Sequence, residues 1–278
     1  MPRSPDRASA PLVSPTNVHA LPRLAARAFD LLLPPSCVLC SCTVEAGMAP
    51  VCAPCWHRLP RILPPRCHRC GATRLTPVES DGCAACAAWP LESIRAEAVC
   101  PMRGNAARLV RELKYAGWTA LAVPMGMALS GPAQNLARRA GVPADEAILV
   151  PVPITPARRR ERGFNQAHLL AAALSNVLDA RVTELLERRT ARRSQVHLRR
   201  RDRLANAPGS FRTSVGAGRG EHERRRSVLL VDDVVTTGAT AAACATTLTE
   251  AGWQPIGLVS FARAWRTFEP SGDSPPSM

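Results

Sequence analysis

VLLVDDVVTTGAT, residues 228–240, is the stretch on which the reading of this chain turns. Val228, Leu229, Leu230 and Val231 make an unbroken aliphatic run, the pattern of a parallel strand buried on both faces. The strand is expected to run from Val228 to Val231 and to give way there to Asp232 and Asp233. A short loop of Val234, Val235, Thr236, Thr237, Gly238 and Ala239 then leads through Thr240 into an alanine-rich helix. Loop amides and the positive end of the helix dipole favour an anion, Gly238 lets the backbone approach closely, and the three threonine hydroxyls can donate. Carboxylates repel phosphate but accept hydrogen bonds from vicinal hydroxyls, so an acid pair beside an anion loop suits a ribose 5-phosphate. A receiver-type acidic pocket also opens with VLLVDD, but its acids belong near the start of a domain and give TTGAT no purpose. A plain strand-to-helix turn with a capping hydroxyl accounts for one threonine and not for the whole set.

Outward from that stretch, apolar runs alternate with helical periodicity. Residues 147–152 (AILVPV) and 256–261 read as further buried strands, and residues 105–113, 121–129, 166–178 and 240–251 as helices. Repeated strand and helix units predict an α/β fold with a doubly wound sheet. At 278 residues, with 46% hydrophobic and 21% charged side chains, the composition is that of a soluble globular protein and excludes wholesale disorder. The longest weakly apolar stretch, residues 118–130, is interrupted by Pro124 and falls short of the roughly 20 residues of a membrane span, so none is expected.

Nine of the 11 cysteines fall in residues 37–86, and eight form four C-x-x-C pairs: Cys37/Cys40, Cys52/Cys55, Cys67/Cys70 and Cys83/Cys86. Each half of the segment reads C-x-x-C, 11 or 12 residues, C-x-x-C, the spacing of a tetrahedral four-thiolate zinc site. Two structural zinc ions are predicted. Disulfides would need an oxidising compartment, and residues 31–33 are too short an apolar core for a secretory signal. Cys42 is able to exchange with Cys40 as a ligand, and His57 and His68 are read as bystanders. Cys100 and Cys244 are read as small apolar residues. The segment has too few large apolar side chains for a core of its own, so metal must supply folding free energy. Residues 1–20 and 271–278 read as flexible tails, 21–36 as a short helix, 37–88 as the double zinc ribbon, and 89–270 as the α/β domain.

The net charge is +14, from 36 basic and 22 acidic residues, and Lys114 is the one lysine. It follows Leu113, which excludes a Walker A phosphate loop; no G-x-S-x-G or H-E-x-x-H occurs either. Residues 158–226 hold 18 arginines against seven acids. Such an excess serves phosphate groups of a small ligand or of a single-stranded nucleic acid, through contacts that weaken with salt. Aromatic content is 4%, leaving Trp56, Trp89, Tyr115 and Trp118 as the candidate stacking platforms, and any nucleic-acid binding mainly electrostatic.

Residues 228–240 resemble the signature by which type I phosphoribosyltransferases bind phosphoribosyl pyrophosphate (PRPP). A wider order of motifs narrows the resemblance: cysteine ribbons, LKY (residues 113–115), PVP (151–153), RRRERGFNQA (158–167), SQVHL (194–198), RLANAPGSF (203–211) and the signature itself. This order resembles the ComF family of competence-associated proteins, also called GntX-like, over residues 21–266. The resemblance implies a double zinc ribbon on a type I phosphoribosyltransferase-like domain, an open, mainly parallel sheet with flanking helices. It also implies a cytoplasmic protein that works with other competence proteins on DNA taken up during transformation. Whether any phosphoribosyl transfer is catalysed stays open.

Carried over by position, Asp232 and Asp233 hold the ribose, and the loop from Val234 to Thr240 holds the 5-phosphate. Val152 and Pro153 fall where this fold forms its pyrophosphate loop. Arg162, in RGFNQ, is able to meet pyrophosphate or to serve the fold alone, and Asn165 to cap the following helix. Gln195 and Asn206 match the segment that becomes a mobile active-site loop, although Arg192 stands where relatives commonly carry threonine. The chemistry asks for Mg2+ with PRPP.

Overall fold

The computed structural model describes residues 35–45, 50–74, 83, 86, 89, 94–189, 210–214 and 226–264. Both expected tails, residues 21–34 of the expected N-terminal helix, Gln195 and Asn206 lie outside them. In chain order the elements are α1 (Ala53–His57), β1 (Ala96–Pro101), α2 (Gly104–Tyr115), a 3-10 turn (Thr119–Leu121), α3 (Ala122–Met127), α4 (Ser130–Arg139), β2 (Ile148–Pro151), α5 (Pro156–Arg162), α6 (Gln166–Leu178), β3 (Leu186–Arg188), β4 (Phe211–Thr213), β5 (Ser227–Val235), α7 (Ala239–Glu250) and β6 (Gln254–Arg263).

Four strands form a parallel sheet in the order β1-β6-β5-β2, while β3 and β4 pair antiparallel beside it. The alternation of side chains along a strand divides the apolar run of β5 between two cores. Leu229 and Val231 join Leu149, Val259 and Phe261 in a cluster with α2, α3, α4 and α6. Val228 and Leu230 join Ile148, Val150 and Leu258 in a second cluster with α7. This is the α/β arrangement of a mainly parallel sheet flanked by helices. Cys100 and Cys244 are fully buried in these clusters, as small apolar residues.

The helix over residues 166–178 and the strands at β2 and β6 fall where periodicity predicts them. One boundary differs in a way that matters for function. The strand expected to stop before the acids runs through both of them to Val235, because β6 extends to Arg263 and supplies pairing partners, with Asp232 opposite Ser260 and Val235 opposite Arg263. The sheet also begins earlier than expected: β1 precedes the strand that carries Pro151. Its sequence, AEAVCP, hides a six-residue buried strand behind one glutamate, Glu97, which is buried and hydrogen-bonded to Asn135.

The cysteine-rich segment splits between the two cores. Cys37, Val51, Cys55 and Leu59 belong to the first, Cys67, Cys70, Cys86 and Trp89 to the second. Among the described residues no helix is long and apolar enough to cross a membrane.

Candidate functional site

Each half of the cysteine segment makes the same turn. Cys37 N donates to Cys42 O (2.7 Å), Ser41 N to Cys37 O (2.8 Å) and Val44 N to Pro35 O (2.8 Å); thirty residues on, Cys67 N donates to Ala72 O (2.8 Å), Gly71 N to Cys67 O (2.8 Å) and Arg74 N to Pro65 O (2.8 Å). Ser41 and Gly71 take the same left-handed conformation, φ 61° and 68°. The turn aims sulfurs inward. In the second half, Cys67, Cys70, Cys83 and Cys86 converge, with Sγ–Sγ distances of 3.8 Å (Cys67–Cys86), 3.6 Å (Cys70–Cys83) and 3.8 Å (Cys83–Cys86). A zinc ion bound at about 2.3 Å by four thiolates needs edges of about 3.8 Å, so these residues fit one.

In the first half the four sulfurs that lie together are Cys37, Cys40, Cys42 and Cys52, with Cys40 3.3 Å from Cys42 and 3.6 Å from Cys52. The spacing of C-x-x-C pairs puts Cys55 in that set; the structure instead places Cys42 in it. Cys42 stands where the second half has Ala72, and its sulfur reaches Cys40 from there. Cys55 stays close enough to Cys40, Cys52 and Cys37 for their sulfurs, after burial, to hold its thiol up at about 12. Cys40 runs the other way: the Cys42 amide and thiol pull it down to about 6. The first centre thus gathers five cysteines and the second four.

The second constellation lies at the carboxyl end of the sheet. Val152 N donates to Val231 O (2.9 Å), which sets the PVP segment beside the strand end that carries the acids. Asn165 caps α6 by accepting from Ala167 N (3.1 Å), while its amide donates to Val152 O (3.1 Å) and fixes the same loop. Asp233 is buried, and Lys114 Nζ lies 2.5 Å from its Oδ2 while Gln166 Nε2 donates to its Oδ1 (3.4 Å). Arg162 donates to Gln166 Oε1 (3.1 Å) and its guanidinium lies 4.9 Å from the ring of Tyr115. Gln166 and Arg162 therefore form a chain of contacts leading from Asp233 to an exposed aromatic ring, Tyr115. Asp232 accepts from the Asp233 amide (2.8 Å). Burial, then the charge of Asp233, push the Asp232 carboxyl well above the usual range, and Lys114 opposes them.

Sequence reasoning listed LKY as a motif but missed that its lysine neutralises an acid of the signature. The signal was present: in a chain of arginines, the single lysine marks a position where a compact ammonium is required. Gln166 is legible in the sequence as part of RGFNQ, but its place in a helix hides its contact with Asp233.

From Val235 the chain enters the loop. Gly238 takes φ 72° and stands at the N-cap of α7. A Cβ there would come within 2.6 Å of the Trp89 ring, so glycine is required for both conformation and space. Thr236 and Thr237 are exposed, and among the described residues neither their hydroxyls nor that of Thr240 has a hydrogen-bond partner, which leaves three hydroxyls able to meet a ligand. Beyond Val152 a cavity of about 540 Å³ opens, lined by Pro153, Asn165, Arg159, Arg188, Arg189 and Arg212 together with Glu184 and Glu187. Arg188 reaches far enough inward for burial, followed by the charge of Arg158, to lower its pKa, with Asp232 pulling it back.

Residues 28–87 match the double zinc ribbon domain family. Over 223 residues, 80% of this chain and 94% of the relative, the sequence is 30% identical to the DNA utilization protein YhgH of Salmonella typhi. It is 36% identical to competence protein F of Haemophilus influenzae over 117 residues, 42% of this chain and 50% of that one. Against competence protein ComFC of Bacillus subtilis it is 33% identical over 105 residues, 38% of this chain and 39% of that one. With its paired cysteine turns, its parallel sheet, a relative matched along 94% of its length and partial matches to competence protein F and ComFC, the chain belongs to the ComF-like family.

Proposed function

We propose that this chain binds PRPP with Mg2+ at the carboxyl end of its parallel sheet and acts in natural competence, handling incoming single-stranded DNA in the cytoplasm alongside other competence proteins. The observation that carries the reading is the acid pair at the end of β5, one acid held by Lys114 and Gln166, followed directly by an open threonine-glycine loop on the N-terminus of α7. In this reading Asp232 and Asp233 accept the ribose hydroxyls, and the backbone and hydroxyls of residues 236–240 take the 5-phosphate. Val152 and Pro153 border the pyrophosphate. Arg162 is drawn to Gln166 and Tyr115 in the free protein, and acts on the ligand through that contact chain. Mg2+ would be held with the ligand beside Asp232 and Asp233 and would neutralise pyrophosphate charge. The DNA role is supported by the names of the relatives, competence protein F and DNA utilization protein, and by the excess of arginine; zinc in the ribbons is structural.

A second reading is an active phosphoribosyltransferase in nucleotide metabolism, favoured by the arginine-lined cavity beside Pro153, which has room for an acceptor base or amine. Calorimetric titration of the zinc-loaded chain with PRPP and Mg2+, with and without a short single-stranded DNA, separates these. Saturable binding abolished by Asp232→Asn with Asp233→Asn, and altered by DNA, is the expected result. Binding indifferent to DNA, together with pyrophosphate release in the presence of one base, favours the transferase. No PRPP binding by well-folded protein overturns both.

A further inference from the structure

Arg263, at the end of β6, is fully buried, and among the described residues none of its three guanidinium nitrogens has a hydrogen-bond partner. A buried cation left so is strongly unfavourable unless an opposite charge stands near. Among the described residues, the ring of Trp89 lies 5.0 Å from its guanidinium carbon, Trp89 N is hydrogen-bonded to Cys86 O of the second cysteine cluster (3.1 Å), and against the larger effect of burial the charge of Arg263 pulls the Cys70 thiol down. Four thiolates around a divalent ion carry two net negative charges, the compensation this cation lacks. Arg263 is thus matched to a metal-loaded cluster rather than to four neutral thiols.

The same arginine touches the anion loop in two ways. Its backbone pairs with Val235, the last strand residue before the loop, and Ala264 N donates to Val235 O (2.9 Å). Trp89, on which the guanidinium stacks, also lies against the α-carbon of Gly238, where a Cβ would approach within 2.6 Å. The indole is fastened to the cysteine cluster in turn: Trp89 N donates to Cys86 O (3.1 Å) and its carbonyl accepts from Arg69 Nη2 (3.3 Å). Cys86, Trp89 and Gly238 therefore form one contiguous path from metal centre to loop, with Arg263 stacked on the indole between them.

We propose that Arg263 is the buried counter-ion of the second zinc-thiolate centre and that, through Trp89, occupancy of this centre sets the shape of the loop at Gly238, so that zinc and the phosphate ligand bind cooperatively. The second half of the proposal rests on the PRPP reading; the first does not. Linkage makes the coupling reciprocal: whatever factor zinc adds to ligand affinity, ligand adds to zinc affinity. Arg263 is a positioning residue, acting through Trp89 and the thiolates.

The test uses the full chain loaded with two zinc ions, challenged with increasing chelator, with released thiols alkylated and mapped by mass spectrometry. R263M is expected to surrender one zinc at about 10- to 100-fold lower chelator than wild type, the usual loss when a group supporting a metal ligand is removed. The alkylated thiols should be Cys67, Cys70, Cys83 and Cys86, and R263K should recover most of the retention. Wild-type retention by R263M, or release from the first centre instead, overturns the counter-ion role. Should R263M not fold, R263K against R263Q makes the same comparison of charge. For the coupling, saturating PRPP with Mg2+ should protect the second zinc of the wild-type chain and leave the first unaffected. W89L should keep both zinc ions yet bind PRPP at least fivefold more weakly. Equal release with and without PRPP, or unchanged PRPP affinity in W89L, overturns it. A wild-type chain that binds no PRPP sinks the ligand reading and the coupling with it, while the counter-ion role is still decided by the chelator series.

Discussion

Residues 37–44 and 67–74 trace the same backbone turn, with equivalent hydrogen bonds, yet their surroundings are opposite. Cys40 and Cys42 are exposed, and the first turn leans on the sheet through Cys37, Val51 and Leu59. Its link to the helices is a hydrogen bond from Arg108 to Leu39 O (2.9 Å), on the helix that delivers Lys114 to Asp233. Cys67, Cys70 and Cys86 are buried, with a buried arginine and tryptophan between them and the anion loop. The comparison teaches that a metal turn repeated in sequence need not be repeated in purpose. The first half packs on the face of the sheet that carries Lys114 and the second on the face that carries the threonine-glycine loop, and it is the second that stands beside a buried arginine.

Removing a ligand from each centre tests that difference most severely. Cys70→Ser should lower unfolding free energy by about 3–5 kcal/mol, the cost of leaving a buried charge unmatched, and Cys40→Ser by clearly less, as read from denaturant melts. Comparable losses would erase the contrast. Lys114→Met tests the acid side: with Asp233 nine-tenths buried or more, losing its cation should cost about 3 kcal/mol and weaken PRPP binding, measured by melts and calorimetry. Gly238→Ala tests the phosphate side, where left-handed backbone and collision with Trp89 together should cost about 2 kcal/mol.

A pH series sharpens the acid side further. The Asp232 carboxyl is raised in the folded chain, so the fold holds that proton more tightly than the unfolded chain does. Its contribution to stability is fully present below the ordinary carboxyl value of 3.8 and is lost as pH climbs through the raised one. Melting temperature should therefore fall across that window, and Asp232→Asn should flatten the fall. An unchanged slope would assign the dependence elsewhere. The smallest effect is expected at the first centre. Cys42→Ser and Cys55→Ser should each retain two zinc ions by elemental analysis, and the double substitution should lose one, because either sulfur completes the set around Cys37, Cys40 and Cys52.

Much of the fold was legible because its signals are local. A run such as Val228 to Val231 has no stable place except between two apolar layers, and Gln166–Leu178 declares a helix by its own spacing and its Asn165 cap. What escaped was carried by partners distant in the chain. β1 is interrupted by Glu97, whose burial is tolerable only beside Asn135, 38 residues on. The extra length of β5 came from β6.

The site divides in the same manner. By itself the sequence determined the acid pair, the threonine-glycine loop and the cysteine turns, since each needs only a few neighbouring residues to state its chemistry. Only the tertiary structure decided that Lys114 answers Asp233, that Cys42 joins the first centre, and that Arg263 lies unpaired beside the second. Charge compensation is a property of distances through space, and no spacing along the chain encodes which buried ion will stand beside which.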